Sequence, residues 1–125
     1  MVLILIIVGM LVLILSNGRT SMTSVQETSV DQLAASGWTP GRLVDVRSAE
    51  EFAEGHVPGA VNVPLDDVVA DPGQFGPEPL QIICRSGGRS AKAAEAVEQA
   101  GTPAMSIAGG TAAWIESGRH VDILS

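Results

Sequence analysis

A single cysteine, Cys84, stands among 125 residues, so no internal disulfide can form. Nothing here calls for an oxidising compartment, and a lone thiol fits a reducing one. Cations are scarce too: seven Lys and Arg against fourteen Asp and Glu give a net charge of −7. Arg19 is the only charged side chain among the first 21 residues, so residues 22–125 alone carry −8. Binding to a phosphate backbone needs clustered Lys and Arg, and no nucleic-acid partner is expected. No second cysteine or histidine lies at ligand spacing from another, so neither a metal nor any other cofactor is expected. The glycine-rich turn after Cys84 is not followed by Gly-Lys-Ser/Thr, which disfavours an ATP-binding loop. Repeats and low-complexity tracts are absent, and the length fits one domain.

The one long apolar run is MVLILIIVGMLVLIL at residues 1–15, stopped by Ser16, Asn17, Gly18 and Arg19. As a helix it would be about 22 Å long, short of the roughly 30 Å of a bilayer core. No basic stretch precedes it, as a secretory signal would require, although Ser16 and Gly18 are small enough for a cleavage site. Three readings stay open: a short membrane anchor, a true start at Met22, where MTSVQETSVDQL opens like a soluble domain, or a cleaved signal. Residues 1–21 are set aside as a leader and 22–125 taken as the folded domain. The location expected is the cytoplasm, or the membrane surface with contact through residues 1–15 alone.

Strand and helix signals alternate along the rest. Ser29 with Gln32 has capping-box spacing and opens a helix over Asp31–Ser36, ended by Gly37. Arg42–Val46 reads as a buried strand. Ser48 with Glu51 is a second capping box, opening a helix through Glu54 that Gly55 ends. Val61–Val63 alternates as a short strand; Asp66–Ala70 is one helical turn, and Asp71–Pro79 a loop with three prolines. Leu80–Cys84 is the most apolar strand. Ser90–Ala100 is an alanine-rich helix with Gly101 as its cap. Met105–Ala108 is a strand, followed by Gly109-Gly110 and a helix over Thr111–Ser117 capped by Gly118. Near-continuous apolar strands separated by helices predict an α/β fold, an open, mostly parallel sheet with helices on both faces.

In such sheets chemistry collects at the carboxyl ends of strands, which is where Cys84 falls. Arg85, Ser86, Gly87, Gly88, Arg89 and Ser90 follow it at once. Two of the six fixed cations of residues 22–125 therefore lie within five residues of the thiol, a positive spot on a negative protein. A helix N-terminus offers free N–H groups and positive dipole, and the two glycines let successive N–H groups converge on an anion. All three influences lower a cysteine pKa. Cys84 is thus a candidate nucleophile held as thiolate, with Arg85 to Ser90 as candidate substrate-binding residues.

This loop resembles the active-site loop of the rhodanese-like sulfurtransferases, in which a cysteine opens a six-residue loop, here Cys84 to Arg89. Leu43-Val44-Asp45-Val46-Arg47, Glu51-Phe52, Gly55-His56-Val57-Pro58-Gly59-Ala60 and Asn62-Val63-Pro64 look like that family's first signature, in order. Gly109-Gly110, Ala113-Trp114 and Gly118 resemble its closing one. The likeness runs from about Thr28 to Ile123, with room for one such unit. It implies a rhodanese-like fold and a persulfide formed on Cys84. Sulfur would come from a small anion such as thiosulfate and pass to a thiol or to cyanide. A module serving a protein sulfur donor or acceptor is the alternative it leaves open. His120 stands where the family often has proline, and the leader is outside its pattern. Phosphatases of the same fold use Cys-x5-Arg, whereas arginine here comes at Cys-x4-Arg, so phosphatase activity is disfavoured. The resemblance also implies that Asp45 and Arg47 form a supporting ion-pair network that braces the loop. His56 is expected to stabilise a turn, Trp38 and Trp114 to pack, and Glu50, Glu51 and Glu54 to form a solvated helix face.

Overall fold

A computed structural model describes residues 25–125; the leader and the Met22 start lie outside the described residues. No helix among the described residues is long and apolar enough to cross a membrane. Five strands, β1 (Gln26–Ser29), β2 (Leu43–Asp45), β3 (Val61–Asn62), β4 (Leu80–Ile83) and β5 (Ala104–Ala108), form one sheet in the order β1-β5-β4-β2-β3. Every neighbouring pair is parallel. Five helices connect or follow them: α1 (Val30–Ser36), α2 (Ala49–Glu54), α3 (Leu65–Ala70), α4 (Gly88–Gln99) and α5 (Gly110–Glu116).

The sheet separates two apolar layers. On one face Leu80 and Ile82 of the central strand, with Cys84 just past its end, pack with Val68 of α3 and Ala93, Ala94 and Val97 of α4. On the other, Ile83 and Ile107 pack with Val30 and Leu33 of α1 and Trp114 of α5. Burial on both faces explains why β4 reads as a continuous apolar run. Trp38 and Trp114 meet edge to face at 6.3 Å, the packing role expected of them.

The capping residues act as the sequence predicts. Ser29 Oγ accepts from the Gln32 amide, and Ser48 with Glu51 closes a complete capping box on α2. Two differences matter. The edge strand β1 was not anticipated: QETS is polar, and as a mostly exposed edge it contributes backbone bonds and little apolar surface. Helix α4 begins at Gly88, two residues before the expected Ser90, because Gly87, at φ 123°, turns the chain into it. Its first turn is therefore part of the Cys84 loop. Pro72–Phe75 adds a short 3-10 turn inside the proline-rich loop. Arg42 holds that loop by donating to the Phe75, Glu78 and Pro79 carbonyls.

Candidate active site

Strand parity places the thiol. Side chains at alternate positions of a strand share a face, so Cys84 continues the row of Leu80 and Ile82 toward α4. Its sulfur thereby sits at the carboxyl end of the central strand and under the first turn of α4. Cys84 is buried, at 1 % exposure, while Arg85, Ser86 and Gly88 just after it are exposed. The thiol is the floor of the loop.

The Gly87 amide donates to Sγ at 3.1 Å, and Ser90 Oγ lies 3.4 Å from it. Burial alone would push the thiol up. The Ser90 hydroxyl and the amides of Ser90, Gly87 and Ser86 outweigh burial, so the pKa falls below the ordinary cysteine value. The inward turn of the Ser86 amide has a cause farther along the chain. Thr111 and Ala112, in the first turn of α5, donate to the carbonyls of Cys84 and Arg85 at 2.8 and 3.0 Å. A trans peptide sets its N–H opposite its C=O. Carbonyls drawn toward α5 turn the following amides, including that of Ser86, away from α5. Gly110 makes the approach possible: a Cβ there would collide with the Cys84 and Arg85 carbonyls. The closing Gly-Gly pair thus shapes the loop, a role that its sequence position alone did not disclose.

The arginines differ from expectation. Arg89 does not point its charge at the sulfur unopposed; it makes a bidentate pair with Glu51 on α2, at 2.7 and 2.9 Å. Hydrogen bonding to Arg89 holds the Glu51 carboxyl down, at about 2. Glu51 is therefore no solvated bystander, and the expectation of a wholly solvated Glu face is corrected at that residue. Arg85 is exposed and has no ion-pair partner among the described residues. It lines a recess of about 520 Å³ with Arg47, Glu51, Glu54, Thr111 and Ile115. Unlike the other cations of this corner, its charge is free.

Asp45 and Arg47 form a buried ion pair, with Arg47 Nη2 at 2.8 Å from Asp45 Oδ2 and the same nitrogen at 2.8 Å from the Gly55 carbonyl. Asn62 Nδ2 donates to the backbone carbonyls of both residues, at 3.0 and 2.9 Å. This network ties the end of β2 to β3 and to the turn after α2. It bears on the Cys84 loop through α2, which carries Glu51. His56 stacks on Phe52 at 3.7 Å and donates from Nδ1 to the Phe52 carbonyl, which can only accept. Its backbone exchanges two hydrogen bonds with Asp122. His56 is a turn-stabilising residue.

Chemically, the arrangement offers a thiol whose pKa is lowered, inward amides that can hold a small anion, and the Arg85 guanidinium, unpaired among the described residues. Residues 27–117 match the family model of the rhodanese-like domain. Thiosulfate sulfurtransferase 16, chloroplastic, of Arabidopsis thaliana is 36% identical over 110 residues, 77% of this chain and 89% of that protein. A thiosulfate sulfurtransferase of Shewanella oneidensis is 32% identical over 99 residues, 77% of this chain and 98% of that one. The crystal structure of a rhodanese-like domain protein from Staphylococcus aureus superposes with TM-score 0.70 at 34% identity, covering 81% of this chain and all of that one. Fold, ordered motifs and relatives converge, and the chain belongs to the family of rhodanese-like domains, whose relatives here include sulfurtransferases.

Proposed function

We propose that the protein moves a sulfane sulfur from thiosulfate, or a donor of like chemistry, to a thiophilic acceptor through a persulfide on Cys84. One observation carries the reading: a thiol at a strand's carboxyl end faces several inward amides that favour its anion. In the first step the Cys84 thiolate attacks the outer sulfur of thiosulfate. The Cys84 S–S bond forms as the S–S bond of the donor breaks, and sulfite leaves with that bonding pair. The negative charge on the terminal sulfur of the persulfide is held by amides between Arg85 and Ser90, with Arg85 attracting the incoming anion. In the second step cyanide or a thiolate takes the terminal sulfur, and the Cys84 thiolate returns. No second cysteine exists to accept the sulfur within the chain, so transfer is intermolecular and ping-pong kinetics follow.

The test is intact mass after incubation with thiosulfate. One added sulfur is expected on the native chain, lost on adding cyanide, and none on Cys84→Ser. A native chain that gains no sulfur from thiosulfate but gains one from a protein persulfide donor would replace the small-anion reading with the protein-serving one.

A further inference from the structure

Ser106 lies at the middle of β5, paired in register with Ile82 of β4. Paired residues of parallel strands share a face, so Ser106 belongs to the layer of Leu80, Ile82 and Cys84 beneath α4. A hydroxyl in that apolar layer, at 1 % exposure, costs stability unless it is hydrogen-bonded. Its partner is Ser90 Oγ at 2.7 Å, and Ser90 Oγ in turn neighbours Sγ. Ser90 also donates to the Gly87 carbonyl at 3.1 Å.

Counting protons orders this chain. Ser90 has one hydroxyl proton and two lone pairs. If it donated to Ser106, the Gly87 carbonyl would keep only the Ala91 amide as donor, and the Ser106 proton would have no acceptor among the described residues. If Ser106 donates instead, every group is matched. With a neutral thiol, S–H donates to Ser90 and Ser90 donates to the Gly87 carbonyl. With an anionic sulfur, the Ser90 hydroxyl turns from the carbonyl to the sulfur. Ser106 donates to Ser90 in both states, and a hydroxyl that accepts is a stronger donor.

We infer that Ser106 is a positioning residue for Cys84: by donating to Ser90 Oγ it leaves the Ser90 proton free to swing onto the sulfur when the sulfur is charged. The inference rests on the reading of Cys84 as the nucleophile, which the mass experiment tests separately. The charged groups near this corner are Arg85, exposed and without an ion-pair partner among the described residues, Arg89, neutralised by Glu51, and the Asp45–Arg47 pair at the end of β2. No charged side chain hydrogen-bonds Sγ among the described residues, so the hydroxyl chain is the lever left to probe.

The experiment is the titration of Cys84 by its alkylation rate against pH, in Ser106→Thr and Ser106→Val. These side chains share one shape and differ only in the hydroxyl, so packing changes cancel. Thr is expected to titrate like the native chain and Val about half a pH unit higher, roughly threefold less thiolate below the midpoint. In a Ser90→Ala background the Thr–Val difference is expected to vanish. Equal titration of Thr and Val with Ser90 intact overturns the inference, as does a difference that survives without Ser90. Should the larger side chains prevent folding, Ser106→Ala must still titrate above the native chain, and an unmoved midpoint there also overturns it.

Discussion

At Cys84 the decisive interactions are short and uncharged. The hydroxyl and amides that touch the sulfur favour its anion, whereas the guanidinium of Arg89 is engaged by Glu51. Charge near the thiol therefore divides into a structural arginine and a free one. Arg85→Ala is expected to raise KM for thiosulfate roughly threefold to tenfold with little change in kcat, and the effect should shrink as salt is added. Steady-state kinetics at two ionic strengths checks it; a KM unmoved by the substitution would remove Arg85 from donor capture. Because the thiol is the floor of its loop, iodoacetamide is expected to outpace bulkier alkylating reagents by more than at a free cysteine. Equal relative rates would mean an open site.

Among the elements, the central strand and the last helix act as one device. Parity aims the sulfur at α4, and the first turn of α5 grips the Cys84 and Arg85 carbonyls, the second of which shares its peptide with the Ser86 amide. Gly110→Ala would force a Cβ into those carbonyls at a φ of 55°, a region L-residues rarely adopt. A loss of about 2 kcal/mol or more is expected, with a higher thiol midpoint; denaturant melts and alkylation titration read the two effects separately. Much of this layer can be read from the sequence. Apolar runs revealed β2 and β4, and Ser48 with Glu51 revealed the start of α2, because burial and capping are local patterns. The polar edge strand β1 could not be read this way, since an exposed edge has no apolar periodicity. Nor could the Glu51–Arg89 pair, the clamp of Arg42 on the proline-rich loop, or Ser106 beneath the thiol. Each joins residues far apart in the chain, and only the sheet order brings them together. For the loop itself, the residue types from Cys84 to Ser90 pointed to the anion site, but its orientation depends on carbonyls that no motif displays.

For the whole molecule, the pair between Glu51 and Arg89 links α2 to α4 across the mouth of the loop. Its carboxyl is held at about 2, well below the ordinary glutamate range. The unfolded chain takes up that proton first on acidification, so the stability it provides is complete above about pH 5 and is lost as pH falls toward 2. Both partners are about one-third exposed, so salt should weaken the contribution. Glu51→Gln keeps a capping-box partner for Ser48 but surrenders the charge. Thermal melts across pH 2–6 are expected to fall less steeply for the variant than for the native chain; parallel curves would show that the pair adds nothing to folding.

The hold of α5 on the Cys84 loop also has a consequence for biosynthesis. The thiol emerges from the ribosome well before the segment that orders the amides around it. Until that segment is made, the cysteine has the reactivity of an ordinary side chain in an unfinished polypeptide. A product truncated before Gly110 would bear the cysteine without the α5 contacts that hold the carbonyls of Cys84 and Arg85.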